Sequence, residues 1–197
     1  MIDCAVELFS TKGYTETGIR EIASMAGIKE ASVYNHFTSK MEILQLLLAM
    51  YEDNTSESTV YAWSIENYFV RSGSPAERIC SFLYLRFPEG KESHYQKILF
   101  IVLHEQHRNP TVREFVMSRI LRNEMFVEQM LHDLMDAEII ETVDAKFVAR
   151  LHVGIVYRYS NTALLTYGGT ALRDTEPTMF MMLTQLYDTF IKPKRRT

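Results

Sequence analysis

The stretch from Gly13 to Lys40 constrains the fold of this 197-residue chain more than any other part of the sequence. Before its central glycine, apolar residues recur at the spacing of one helix face, at Ile19, Ile22, Ala23 and Ala26. Thr17 or Gly18 can begin that helix, and Gly27 predicts its end, because glycine adopts left-handed backbone at little cost. A second helix is predicted from about Lys29 to His36. Helix, glycine turn and helix together predict a helix-turn-helix, whose second helix enters the DNA major groove.

The second helix of this pair is predicted to bury one face and to expose a polar one. Its inward residues are Ile28, Val33 and Phe37, and its outward residues are Ala31, Ser32, Tyr34, Asn35 and His36. Ser32 can hydrogen-bond a base edge or a phosphate, and Lys29 can reach a phosphate or a guanine. Glu30 would be repelled by phosphate unless it accepts from a cytosine amino group.

Lys40 lies in the first turn of the next predicted helix, which Ser39 and Glu42 begin as a capping box. A cation there opposes the helix macrodipole, so we expect an anion nearby to offset it. A DNA phosphate is the natural candidate for that anion.

The same stretch carries a family resemblance. The matching positions are Ala5, Leu8-Phe9, Gly13-Tyr14, Thr17, Ile22-Ala23, Ala26-Gly27-Ile28, Val33-Tyr34, His36-Phe37 and Lys40. Over about 45 residues they resemble the N-terminal DNA-binding domain of the tetracycline-repressor-like (TetR) transcriptional regulators. The resemblance implies that Tyr34, Asn35 and His36 contact backbone phosphate. With Thr17, Lys29, Ala31, Ser32 and Lys40, they form the predicted DNA-binding set.

The resemblance also implies an all-α architecture of about nine helices in two domains. Residues 1–46 would form the helix-turn-helix domain, with a helix from about residue 40 linking it to the second domain. Residues 47–197 would form a helical effector-binding and dimerisation domain. Aromatic or polar residues on its converging helices are candidates to line an effector pocket, although each could equally belong to an ordinary core. They are Trp63, Tyr84, Phe100, His104, Phe126 and Tyr159.

The last two predicted helices carry a wider apolar surface than one core face needs, which suggests a symmetric partner. The resemblance implies that they pair with their copies in a homodimer. The predicted interface residues are Leu151, Ile155, Tyr159, Met179, Leu183, Leu186, Tyr187 and Phe190. The alternative is that this area covers the chain's own core.

Charge is the main compositional argument against a nucleic-acid partner. The net charge is −4, and residues 1–51 hold four Lys or Arg and six Asp or Glu. Few phosphates can therefore be neutralised, so we expect weak non-specific binding. The longest apolar run, Ile98 to Leu103, is too short to span a bilayer, and no signal segment begins the chain. Cys4 and Cys80 have no metal spacing and are expected to be buried thiols in the cytoplasm.

Other chemistry has little support in the sequence. His104 and His107 are three residues apart, unlike the four of HExxH, and no serine elbow, Walker loop or dinucleotide fingerprint occurs. We therefore expect no enzyme, no cofactor and no metal. The sequence predicts a sequence-specific transcriptional regulator, a repressor released from a near-palindromic operator by a small-molecule effector. Two alternatives stay open: a dimeric helical interaction module without DNA reading, and a helical protein that binds a metal or cofactor.

Overall fold

The computed structural model describes residues 1–59, 63–83, 92–167 and 172–191, with side chains for 1–52, 63–82, 94–162 and 178–191. The described residues are helical, with one isolated antiparallel bridge between Ile140 and Ile191. The predicted all-helical class is confirmed. The helices are α1 Ile2–Thr11, α2 Ile19–Met25, α3 Glu30–Tyr34, α4 Lys40–Thr59, α5 Ile65–Val70, α6 Pro75–Leu83, α7 Glu92–Glu105, α8 Pro110–Asp136, α9 Ala145–Tyr167 and α10 Leu172–Asp188.

The helices agree closely with the sequence pattern where local signals are strong. Ser74 and Glu77 form the predicted capping box of α6, since Ser74 N donates to Glu77 Oε2 at 2.7 Å and Glu77 N donates to Ser74 Oγ at 3.3 Å. The described residues form ten helices, against about nine predicted. Pro177, expected near the start of the last helix, lies inside α10.

The chain forms two compact units. The first unit comprises Met1–Thr55 with Phe87–Val116, and the second comprises Ser56–Arg86 with Met117–Thr197. Helix α7 thus belongs to the same compact unit as the predicted helix-turn-helix. The functional boundary at residue 46 is a different kind of division and stays a prediction.

The first unit is built on the apolar faces of α1 to α4 and α7. Helices α1 and α7 are joined at their surfaces by an ion pair between Lys97 and Glu7, and His94 Nδ1 lies 3.6 Å from Asp3 Oδ1. The fully buried residues include Ala5, Val6, Phe9, Ile22, Ala23, Val33, Ile43, Leu44, Leu47 and Ile98. The predicted helix-turn-helix therefore rests on a hydrophobic core of its own unit.

The second unit has its own hydrophobic core, drawn from α5, α6, α8, α9 and α10. Its buried members include Tyr68, Ile79, Phe82, Met130, Leu131, Leu134, Val148, Leu183 and Tyr187. Cys80 lies in this core, where burial raises the pKa of its thiol to about 11, so it stays protonated. Cys4, by contrast, is only half-buried, which corrects the expectation of two buried thiols.

A buried polar pair lies between α9 and α10. The Tyr187 hydroxyl is 3.2 Å from His152 Nδ1, and both residues are enclosed by the second unit. Burial lowers the pKa of His152 to about 3, because desolvation disfavours the imidazolium, and it raises the pKa of Tyr187. Both groups are therefore neutral at pH 7, and a hydrogen bond joins them.

We predict that His152 makes the second unit acid-labile. Between pH 6.5 and pH 3 the unfolded chain binds a proton at this ring and the folded chain does not, so the unfolding free energy falls as the pH falls. From pH 7 to pH 5 the loss is about 2 kcal/mol. Urea unfolding of His152→Asn, which keeps an acceptor for Tyr187 but cannot titrate, should show a correspondingly flatter pH dependence. Replacing the exposed His132 with Asn is the control; equal slopes for the two variants would contradict the assignment.

Candidate nucleic-acid interface

The turn between α2 and α3 is set by Gly27. Helix α2 ends at Met25, and Gly27 follows with φ +67°, the left-handed conformation that glycine tolerates best. Ile28 N donates to Ala23 O at 3.0 Å and Gly27 N donates to Ser24 O at 3.1 Å. These two bonds form a Schellman motif, which satisfies the last carbonyls of α2 and turns the chain into α3.

The start of α2 is fixed by a glutamate that contacts two groups. Gly18 is the N-cap, and its backbone N–H donates to Glu21 Oε2 at 2.9 Å. The other carboxylate oxygen pairs with the ammonium of Lys12. The Lys12 hydrogen bond and then the Gly18 N–H hold the pKa of Glu21 below its usual range. Helix α2 therefore begins after Gly18 and ends before Gly27, as the sequence predicts, whereas the contacts of Glu21 were not predicted.

Lys40 holds the loop before α2. Its Nζ donates to Tyr14 O at 2.6 Å, to Thr17 O at 2.8 Å and to Thr15 O at 3.2 Å, and it lies 4.4 Å from the centre of the Tyr14 ring. An ammonium has three N–H donors, so all of them are used within the protein. The oxygen partners expected from DNA are thus supplied by the chain itself, and a phosphate would have to displace one of these carbonyls.

The pKa of Lys40 reflects both its partly buried position and the carboxylates around it. Desolvation lowers the pKa of Lys40, and the charges of Glu105, Glu16 and Glu21 act in the opposite direction. Burial, and after it the charge of Glu105 at the end of α7, raise the pKa of Tyr14. A carboxylate of α7 therefore acts on the same loop as Lys40, within the first unit.

Thr17 has a structural position in this loop. Its side chain is only 1% exposed, and its hydroxyl donates to Gly13 O at 2.8 Å. The described contacts of Thr17 are thus to backbone, and it shapes the loop whose carbonyls bind Lys40. Thr17 was predicted to bind DNA because of its position in the motif, but its side chain is buried.

Helix α3 presents the polar face that the sequence predicted. Val33 is fully buried and anchors the helix, whereas Tyr34 is 52% exposed. Ser32 is half-buried, and the other predicted reading residues are exposed: Lys29, Ala31, Asn35 and His36. These residues are therefore accessible to solvent around α3, and their role in binding DNA stays a prediction.

Two details of the turn differ from the sequence prediction. Ile28, expected to face inward, is 39% exposed, because it lies in the turn after Gly27 rather than within a helix. Phe37 is half-buried, and α3 spans only Glu30–Tyr34 instead of reaching His36. Ile28 thus adds an apolar residue to the exposed side of the motif, a feature that helical periodicity could not show.

The predicted effector residues are divided between the two units. Phe100 and His104 stack on each other in the first unit, with ring centres 5.9 Å apart. Trp63 belongs to the second unit, where its Nε1 donates to Asp133 Oδ2 at 2.8 Å. In the same unit Phe126 packs against the core, and the Tyr159 hydroxyl lies 2.8 Å from the Met182 sulfur. Tyr84 lies outside the described residues. A cleft does occur in the second unit, but it is lined by Val70, Arg71, Ser72, Glu77, Ser81 and Phe180.

The predicted dimer residues divide between surface and core. Leu183 and Tyr187 are enclosed in the core of the second unit, which corrects their assignment to an interface, since neither has surface to offer a partner. Leu151 is 40% exposed, and the remaining five are half-buried: Ile155, Tyr159, Met179, Leu186 and Phe190. Two exposed apolar side chains on the same helices, Phe147 and Met181, were not predicted. Phe147 lies one turn from Leu151, so the i, i+4 spacing could have indicated it.

Two of the histidines considered as metal ligands make other contacts. His152 is bonded to Tyr187, and His104 stacks on Phe100 with its Nδ1 3.9 Å from Glu105 Oε1. Within the part of the chain that the structure describes, no three His, Cys, Asp or Glu side chains are arranged to hold a metal ion. Among the same residues, no helix is long and apolar enough to cross a membrane.

We predict that Lys40 stabilises the first unit. Lys40→Met removes three charge-assisted hydrogen bonds and should lower the unfolding free energy of this unit by about 2 kcal/mol, measured by urea denaturation. Lys29→Met is the matched control, because Lys29 is an exposed lysine of the same motif and should change stability by less than about 0.5 kcal/mol. Equal stability of the two variants would show that the Lys40 contacts contribute nothing.

Comparisons with known proteins agree with this geometry. The family model of bacterial regulatory proteins of the tetR family matches residues 1–47. The biofilm operon icaADBC negative transcriptional regulator IcaR of Staphylococcus aureus (strain Newman) is 49% identical over 45 residues, which cover 23% of this chain and 24% of IcaR. The regulator SrpR of Pseudomonas putida is 41% identical over 49 residues, 25% of this chain and 23% of SrpR. The chain thus matches about a quarter of the length of these curated relatives.

Solved structures extend the likeness to the whole chain. The complex of SmeT with triclosan has a TM-score of 0.70 at 18% identity and covers 100% of this chain and 92% of SmeT. The TetR-family regulator PfmR of Thermus thermophilus has a TM-score of 0.66 at 17% identity, covering 95% of this chain and 96% of PfmR. Residues 1–47 therefore match the family model of bacterial regulatory proteins of the tetR family, and the chain is similar in fold to solved regulators of that family.

Proposed function

We propose that this chain is a sequence-specific DNA-binding transcriptional regulator, a repressor released from its operator by a small-molecule effector. The observation that carries the proposal is the exposed face of α3, which is anchored by Val33 and positioned by the Gly27 turn. The relative IcaR is named a negative transcriptional regulator, which supports repression. SmeT was solved with triclosan, which supports an effector. In this role the protein acts in the cytoplasm and catalyses no reaction.

The residues of the α3 face divide by the contacts they can make. Lys29 is the N-cap of α3 and Ser32 is its middle residue, and there an ammonium or a hydroxyl could meet base edges in the major groove. Tyr34, Asn35 and His36 lie at its end, where they can donate to backbone phosphates. The first group would set sequence preference, and the second would position the protein on the duplex.

A homodimer supports this function, because two half-sites multiply a modest affinity. Helix α9 carries Phe147, Leu151 and Gly154 at exposed positions one turn apart. A glycine inside a helix costs about 1 kcal/mol relative to alanine, and nothing lies within 4 Å of the side chain that Gly154 lacks. No contact of the described residues requires this glycine. A second copy packed closely against α9 gives a reason for it.

We expect selection from a random DNA library to recover a near-palindromic operator. Two recognition helices in a symmetric dimer should read half-sites about 34 Å, or one DNA turn, apart. The purified full-length protein would be incubated with random duplexes at low and moderate salt, and the bound fraction would be sequenced. Failure to recover any site at low salt would overturn DNA reading and favour an interaction module instead.

Substitutions on α3 test the division of labour on the selected operator. Tyr34→Ala should weaken binding to all sequences by a similar factor, whereas Ser32→Ala and Lys29→Ala should change the preferred base at one position per half-site, by about 1–3 kcal/mol. Fluorescence anisotropy on operator duplexes with single base changes measures both effects. Gln45→Ala, an exposed position on α4, is the control. A uniform loss for all three α3 variants would contradict the division.

The salt dependence of operator binding should be shallow. Of the four Lys and Arg in residues 1–51, Lys12 is paired with Glu21 and Lys40 is bound by carbonyls, which leaves Arg20 and Lys29 exposed for phosphate. Neutralising two phosphates per protomer predicts a slope of log affinity against log salt of roughly −2 per protomer, or roughly −4 for a dimer. Anisotropy between 50 and 300 mM salt (roughly the range over which such slopes are read) measures it. A slope twice as steep would mean that Lys12 and Lys40 exchange their partners for DNA.

A further inference from the structure

Glu30 differs from the other five acidic side chains of residues 1–51. Each of those five acts on a group of the protein: Asp3 on His94, Glu7 on Lys97, Glu16 on Lys40, Glu21 on Lys12 and Gly18, and Glu42 on Thr38. Glu30 is exposed, and within the described parts of the chain no hydrogen bond or ion pair engages its carboxylate. This acidic side chain is therefore available to a partner of the protein.

The place of Glu30 in α3 determines which part of a DNA duplex it would meet. It is the first residue of α3, and a recognition helix brings its N-terminal residues against base edges in the major groove. Tyr34 follows one turn later on the same side of the helix, where it is 52% exposed and is proposed to contact phosphate. A carboxylate is repelled by phosphate groups, so a base edge is the favourable contact for Glu30.

The four bases differ in what they offer a carboxylate, which can only accept hydrogen bonds. In the major groove guanine presents two acceptors, and thymine presents an acceptor and a methyl group. Adenine presents an amino group beside the acceptor N7, which repels a carboxylate. Cytosine presents its N4 amino group with no acceptor beside it. Cytosine is thus the base that a carboxylate at this position selects.

We propose that Glu30 determines specificity by accepting a hydrogen bond from the N4 amino group of one cytosine in each half-site of the operator. The proposal rests on the proposed function above and names a base that the operator must contain. It adds an acidic residue to those predicted to bind DNA, and attraction to phosphate cannot explain such a residue. The same carboxylate excludes the other three bases, because it would face one of their acceptors.

Parallel selections from a random DNA library, with the full-length wild-type protein and with Glu30→Gln, test the assignment. The wild type should select cytosine at one position per half-site. Glu30→Gln should select adenine there and leave the other positions unchanged, because an amide pairs with adenine N6 and N7. Glu114→Gln, which changes an exposed acidic residue of α8, removes the same charge and should select the wild-type site. Identical sites for the wild type and Glu30→Gln overturn the proposal.

A base without the amino group tests the contact itself. In duplexes of the selected operator, each invariant cytosine of the half-site is replaced in turn by 2-pyrimidinone, which lacks that group. At one position the replacement should weaken wild-type binding, measured by fluorescence anisotropy, about tenfold more than it weakens binding of Glu30→Ala. The variant corrects for the weaker base pair, and the interaction of a first-turn carboxylate with the helix dipole does not depend on the base. Equal losses for the two proteins at every position overturn the proposal.

The outcomes separate this proposal from the proposed function. If the wild type recovers an operator whose sequence does not depend on residue 30, DNA reading stands and the role of Glu30 is overturned. If the wild type recovers no operator at low salt, the proposed function fails and the cytosine contact fails with it. If only Glu30→Gln recovers no site, the 2-pyrimidinone duplexes decide with the wild type and Glu30→Ala.

Discussion

The contact between Lys40 and the loop before α2 is the interaction on which the proposed DNA-reading surface depends. One ammonium binds three backbone carbonyls contributed by residues 23 to 26 positions earlier in the chain. Because these carbonyls belong to the loop that leads into Gly18, the contact ties the start of α2 to the start of α4. Helix α3 lies between them in sequence and buries only Val33 fully. So short a helix is held by its flanks rather than by its own propensity.

Residues 1–51 have more acidic than basic side chains, but several of their charges are engaged within the protein. Desolvation lowers the pKa of Lys40, and the carboxylates of Glu105, Glu16 and Glu21 oppose that shift. Glu21 also caps α2 and pairs with Lys12. Much of the negative charge of residues 1–51 therefore serves internal contacts. The net charge of residues 1–51 therefore says little about the charge of the exposed surface. The exposed side chains of Lys29 and Arg20 matter more for phosphate binding than the net charge does.

Local signals in the sequence predicted most of the fold of the first unit. Gly27 and the capping boxes fix helix ends through bonds between residues at most five positions apart, which a sequence pattern can show. The partner of Lys40 could not be found in this way. Its position at a helix start indicated that it needs oxygen partners, but the carbonyls that supply them come from a loop more than 20 residues away. Which oxygens bind Lys40 depends on the tertiary structure.

In the second unit, the sequence predicted where the helices lie better than it predicted which side of each helix is buried. Helix α10 is apolar on more than one side, and periodicity alone could not say which apolar residues meet their own core. The hydrogen bond between Tyr187 and His152 decides it, because a buried imidazole and phenol must satisfy each other. That bond turns Leu183 inward with Tyr187, one turn apart, and leaves Met181 exposed. A polar pair thus sets the orientation of the apolar helix, and with it the surface that remains for a partner.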